Sequence, residues 1–151
     1  MTSEGRPSRI HLKGQASQFE EALAAGVIRP GHLVKLNVDG DVIPHNIVLG
    51  QAERMFALED ALQGRGIDDD YASGERVFIL IASPGDQVLA WLAFGQSVQK
   101  GDFLGSDGAG HLIDSQESGF TAGHDSVAVA LETIDNSESD DNNTRIKVRV
   151  L

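Results

Sequence analysis

The chain has 151 residues, carries no cysteine, and sets 23 acidic against 12 basic side chains for a formal net charge of −11. That length suits one domain able to bury roughly 68–70% of its unfolded surface without staples, and the missing cysteines exclude disulfides, thiolate metal sites and cysteine catalysis. The acidity argues against direct nucleic-acid binding, which relies on clustered Lys and Arg, and no stretch approaches the ~18–20 apolar residues of a membrane span.

Met1 to Ser8 is polar, contains Gly5 and Pro7, and lacks the apolar core of a signal peptide, so it reads as a mobile leader on a chain made and used without a secretion signal. Arg9-Ile10-His11-Leu12-Lys13 alternates polar and apolar side chains as a half-buried strand does. After Gly14, Ser17-Gln18-Phe19-Glu20 matches a helix capping box, and Ala22 to Ala25 extends a short helix that Gly26 ends. About two turns of helix must be held by packing. The expected organisation is an extended amino-terminal arm over 1–16 and a β-rich domain over 17–151.

Val27-Ile28 and Leu33 to Val38 are the next strands, parted by the Arg29-Pro30-Gly31-His32 turn. Asp39-Gly40 signals a tight hairpin returning through Asp41 to His45, and Asn46 to Leu49 reads as a further strand. Arg54 to Glu59 is expected as a strand, with a turn of helix at Asp60–Gln63 and a loop over 64–70. Three apolar runs follow, each closed by a glycine turn: Val77 to Ala82, Val88 to Phe94, and Ser97-Val98 running on to Leu104. Strands of this length between Gly/Asp/Ser turns point to an antiparallel sandwich or small barrel. Val88 to Phe94 is apolar throughout, so it lies between two layers or under a partner. Ser126 to Ile134 is another strand. In the last, Ile146, Val148 and Val150 share one face while Arg145, Lys147 and Arg149 share the other.

Chemistry is harder to find. The five histidines, His11, His32, His45, His111 and His124, stand at no ligand spacing and read as turn or surface residues. Asp68-Asp69-Asp70 lacks the ligand spacing of a calcium loop, and Gly105 to Gly110 lacks the Lys-Ser/Thr and helix of a phosphate loop, leaving a hairpin turn. Ser83, Ser97, Ser106 and Ser126 lack a nucleophile-elbow context. Asp135 to Asn143 reads as a solvated hairpin tip. No catalytic, cofactor or metal site is expected, and the chain reads as a binding or assembly module rather than an enzyme.

The order of Ile28-Arg29-Pro30-Gly31-His32-Leu33-Val34, Phe56-Ala57-Leu58-Glu59 and Ile67 to Val77 resembles tailed-bacteriophage head decoration (cement) proteins. Val98 to Leu104, followed by Gly108 to Leu112, continues the likeness, which spans roughly residues 8 to 134. The resemblance implies a β-barrel or β-tulip (jelly-roll-like) body, commonly a homotrimer, on the outer surface of an icosahedral capsid. It further implies a structural virion protein, made in the host cytoplasm, that binds the major capsid protein and braces the shell against DNA pressure. Arg9, Ile10, Leu12 and Phe19, with Trp91 and Phe94, are the candidate capsid or subunit contacts. The competing readings are a small-ligand or carbohydrate-binding β module and a biotinyl/lipoyl-type carrier. The first would need an aromatic platform in a chain only 5% aromatic, and the second a Met-Lys-Met turn that is missing.

Overall fold

The computed structural model describes residues 8–15, 18–115, 125–137 and 143–151. The leader to Pro7, Ser17, His124, and Asp140 and Asp141 of the acidic tip lie outside the described residues. Short strands dominate: β1 (His11–Lys13), β2 (Phe19–Leu23), β3 (Val34–Leu36), β4 (Val42–Pro44), β5 (Met55–Ala57), β6 (Arg76–Ile81) and β7 (Gln87–Leu92). They continue as β8 (Ser97–Val98), β9 (Phe103–Ser106), β10 (Leu112–Asp114), β11 (Ala128–Ala130), β12 (Ile134–Asp135) and β13 (Thr144–Val150).

Alternation in β13 dictates the main sheet. Ile146 stands opposite Ala90 and Val148 opposite Val88, so the apolar sides of β13 and β7 face one interior. That sheet runs β7-β10-β9-β11-β13 and closes by pairing β13 back to β7, a closed five-stranded barrel. Closure leaves no open edge within the ring. Val88, Ala90, Leu92, Leu104, Leu112, Ala128, Ala130, Ile146, Val148 and Val150 fill its core. One ladder is parallel, with Leu112 beside Leu92, which a purely antiparallel expectation does not contain. β1 pairs antiparallel with β7 outside the ring, and Ile10 just before it is fully buried.

β6 explains the second layer. Its residues are apolar on both faces because β2-β6-β5 lies between two cores. Leu80 and Phe56 pack into the barrel core, while Val77, Ile79, Met55 and Ala57 join Ala24, Ile28, Val34, Val42 and Tyr71 in a second one. The doubly apolar β7 is likewise covered by its own chain. Gly31 (φ +100) lets the Pro30-Gly31 turn lie on β7, where a Cβ would meet the Leu89 carbonyl at 2.9 Å and Trp91 Cδ1 at 3.2 Å.

Several expectations hold. The Asp39-Gly40 hairpin joins β3 to β4 with Val34 opposite Pro44 and Leu36 opposite Val42. Met55–Ala57 is a strand, and a 3-10 turn follows at Ala61–Gln63, capped by Asp60 and closed by Gly64 (φ 73). Others are corrected. Phe19–Leu23 is a strand, not a helix, because its ladder to β6 supplies partners that an isolated two-turn helix lacks. Asn46 to Leu49 is a turn rather than a strand: Gly50 N–H closes on the Ile47 carbonyl, and Leu49 is buried at φ 51. Ser126 to Ile134 breaks after β11, and β9 runs through Gly105 and Ser106 so that the hairpin tip begins only at Asp107.

Candidate partner-binding surface

The sequence of β1 and β2 brings two of the expected contacts to one place. Arg9, His11 and Phe19 line a cleft of about 430 Å³ with Leu58, Glu59 and Ala61. Leu58 is fixed by backbone bonds, its N–H donating to the Phe78 carbonyl and its own carbonyl accepting from Tyr71 Oη, at 2.8 and 2.7 Å. Burial pushes the Tyr71 hydroxyl up to about 12, so it stays a donor. Glu59 Oε1 accepts from Ile10 N–H at 3.1 Å, tying β1 to the wall of the cleft. His11 Nε2 is buried there without a hydrogen-bond partner among the described residues. Phe19 is 59% exposed, and Leu23, four residues further along β2, is 45% exposed.

The other candidates sit elsewhere. Ile10 is enclosed by its own chain, Leu12 is half-buried, and Phe94 is 44% exposed with its N–H donating to Asn143 Oδ1 at 2.9 Å. Trp91 does not line the cleft. Its indole N–H donates to the Pro30 carbonyl at 2.9 Å, and the Arg145 and Arg29 guanidiniums lie 4.3 and 5.4 Å from its ring. Arg145 also binds Asp68 at 2.7 Å and donates to the Ile67 carbonyl, while Arg29 pairs with Asp70 at 3.3 Å. Asp69 accepts from Gly66 N–H at 2.7 Å, so the three aspartates are divided among separate partners rather than converging. This assembly clamps the 64–70 loop and the Pro30 turn onto the outside of β7, and the half-buried indole serves that clamp.

Two histidines thought to lie at turns or on the surface are buried, His45 and His32. His45 Nε2 bonds the Gln51 carbonyl at 2.9 Å, which makes it the donor and leaves Nδ1 to accept from Ser106 Oγ at 2.6 Å. That Ser–His pair is enclosed on all sides, with Ser106 and His45 almost wholly buried, so no substrate reaches the hydroxyl. His32 Nδ1 accepts from Arg29 N–H at 3.2 Å, and its ring meets His111 edge-on at 5.3 Å. Burial, then the neighbouring His111, hold His32 down to about 3 from 6.5. His111 Nδ1 in turn lies 2.8 Å from Asp107 Oδ2. Although burial raises it, bonds from His111 and the Ala109 N–H keep the Asp107 carboxyl below the usual aspartate value. Among the described residues no group of three or more His, Asp or Glu is arranged to hold a metal ion, and no helix is long and apolar enough to cross a membrane.

His11, Leu58, Glu59 and Ala61 escaped the sequence reading because the cleft is made by chain segments about fifty residues apart meeting in space; Ile10 and Glu59 are separated by 49 positions. Compared with protein-family models and with curated proteins, the chain matches none.

Proposed function

We propose that this chain is a head decoration protein of a tailed bacteriophage, bound as a homotrimer to the outer surface of an icosahedral shell. Its role there is to brace the major capsid protein against internal DNA pressure. The observation that carries the reading is the apolar surface around the Arg9–Phe19 cleft: Phe19 and Leu23 stand in water on the outermost strand of a sheet, on a chain of net charge −11. An acidic protein that leaves large apolar side chains beside a cleft is built to meet another protein surface. The order of motifs from Ile28 to Leu112 supports a capsid as that surface, and the closed barrel fits the body expected of such proteins.

Many copies held by modest contacts act together on a shell, and a protein that binds only the assembled state stabilises it by mass action. Adding the purified chain to bare, expanded heads of the phage that encodes it is expected to raise the temperature at which they release DNA. Heads that rupture at the same temperature with and without saturating protein would sink this reading. A small-ligand or carbohydrate module would draw on the same cleft, but Trp91 is committed to Pro30 and Arg145 and offers no stacking platform there.

A further inference from the structure

β2 is the outer strand of the β2-β6-β5 sheet and is laddered on one edge only. Ile81 N–H donates to the Gln18 carbonyl at 3.1 Å, and Ala24 N–H to the Glu75 carbonyl at 2.8 Å. Antiparallel ladders alternate, so Glu20 and Ala22 also turn their backbone toward β6, and Phe19, Glu21 and Leu23 turn theirs away. One step later that outer edge is occupied, where Ala25 N–H donates to the Val42 carbonyl of β4 at 3.0 Å. The parallel bridge to Ala24 sets Val42 of β4 on the Leu23 carbonyl as well. The amides of Phe19, Glu21 and Leu23 and the carbonyls of Phe19 and Glu21 are left in a row with no strand among the described residues along them.

The side chains on that row share one face and read apolar, acidic, apolar: Phe19, Glu21, Leu23, all exposed. Edge strands are blunted by charge, proline or a bulge; β2 has no proline and pairs with β6 in unbroken register, and its only charges are the acidic Glu20 and Glu21. Glu21 makes only a loose, exposed pair with Arg76 at 3.7 Å. A strand laid along this edge meets its best partners with apolar residues opposite Phe19 and Leu23 and a lysine or arginine opposite Glu21. A second copy fits poorly, since antiparallel β2 pairing centred on Glu21 sets that carboxylate against its own copy. Such pairing is also two-fold and cannot build a trimer. At its Phe19 end the row opens into the 430 Å³ cleft.

We infer that the open edge of β2 accepts an extended apolar–basic–apolar segment of a partner protein by strand addition, with the residue opposite Phe19 turned into the cleft. Such addition draws affinity from main-chain bonds and specificity from alternate side chains. That the segment belongs to the shell protein rests on the function proposed above; the accepting edge does not.

Two experiments on the full chain separate these points. In the first, the synthetic peptide acetyl-Thr-Val-Thr-Lys-Thr-Val-Thr-amide is added and amide exchange is followed residue by residue. Slowing of the Phe19, Glu21 and Leu23 amides by about tenfold or more is expected, and the same peptide with glutamate for lysine should not produce it. In the second, Glu21→Pro and Glu21→Lys are compared with the wild type on bare heads. The proline removes an N–H that points away from β6, so the existing ladder is kept, and the lysine leaves every backbone group in place. Both should lower head occupancy by about tenfold or more. Unchanged exchange at the three amides overturns the inference, and wild-type occupancy by both variants while the peptide protects those amides removes the shell as donor. A wild-type chain that ignores heads while the peptide still protects those amides removes the shell as donor and leaves the accepting edge standing.

Discussion

A neutral imidazole is enclosed at His32, and that has a consequence for stability. Burial first, then His111, with Arg29 and Arg145 adding to them, hold it near 3, and Asp107 opposes them only partly. A histidine that binds its proton less readily when folded costs stability wherever the unfolded chain is protonated and the folded one is not. The window is therefore below the ordinary value of 6.5 and above about 3. Stability is expected to fall on the order of 1 kcal/mol per pH unit as pH drops through the upper part of that window. Asp107 does not share it: its depressed carboxyl keeps its contribution until pH falls below the usual aspartate value of 3.8. Urea unfolding at pH 7 and pH 5 should therefore show a steeper loss for the wild type than for His32→Gln. Equal losses would mean that His32 is protonated in the folded chain.

At the scale of elements, β1 tests what the amino-terminal segment does. Ile10 is fully buried, its carbonyl accepts from Leu89 N–H at 2.8 Å, and His11 and Lys13 register against Val88 and Gln87. Removing residues 1–8 leaves all of this and is expected to leave the urea midpoint where it was. Removing 1–13 also deletes Ile10 and the ladder, and should cost about 2 kcal/mol or more, as truncating a buried aliphatic does. Identical midpoints for the two truncations would show that β1 is dispensable to the body. Legibility follows the same division between local and distant partners. β13 and the Asp39-Gly40 hairpin were readable because alternation and a two-residue turn are local signals. β2 was not, since Ser17 to Glu20 spells a helix cap while the strand's partner, β6, lies more than fifty residues on. Arg9 was nominated as a contact from the alternation of Arg9 to Lys13 and Phe19 from the helix expected around it, but the cleft they share needed Leu58 and Glu59 brought in by the fold.

For the whole molecule, charge and apolar surface pull in opposite directions. Each copy carries a net charge of −11 and also leaves Phe94, Phe103 and Leu36 partly in water. A three-fold assembly of identical acidic copies must bury apolar area against their mutual repulsion. Raising salt from about 0.01 to about 1 M shortens the screening length from ~30 to ~3 Å, which weakens the repulsion and leaves apolar contact intact. Sedimentation of the purified chain is therefore expected to show a trimer whose share grows with salt. A trimer that dissociates as salt rises would place ion pairs rather than apolar contacts at the three-fold. A monomer at both extremes would mean that a homotrimer, as proposed, does not form from the chain alone.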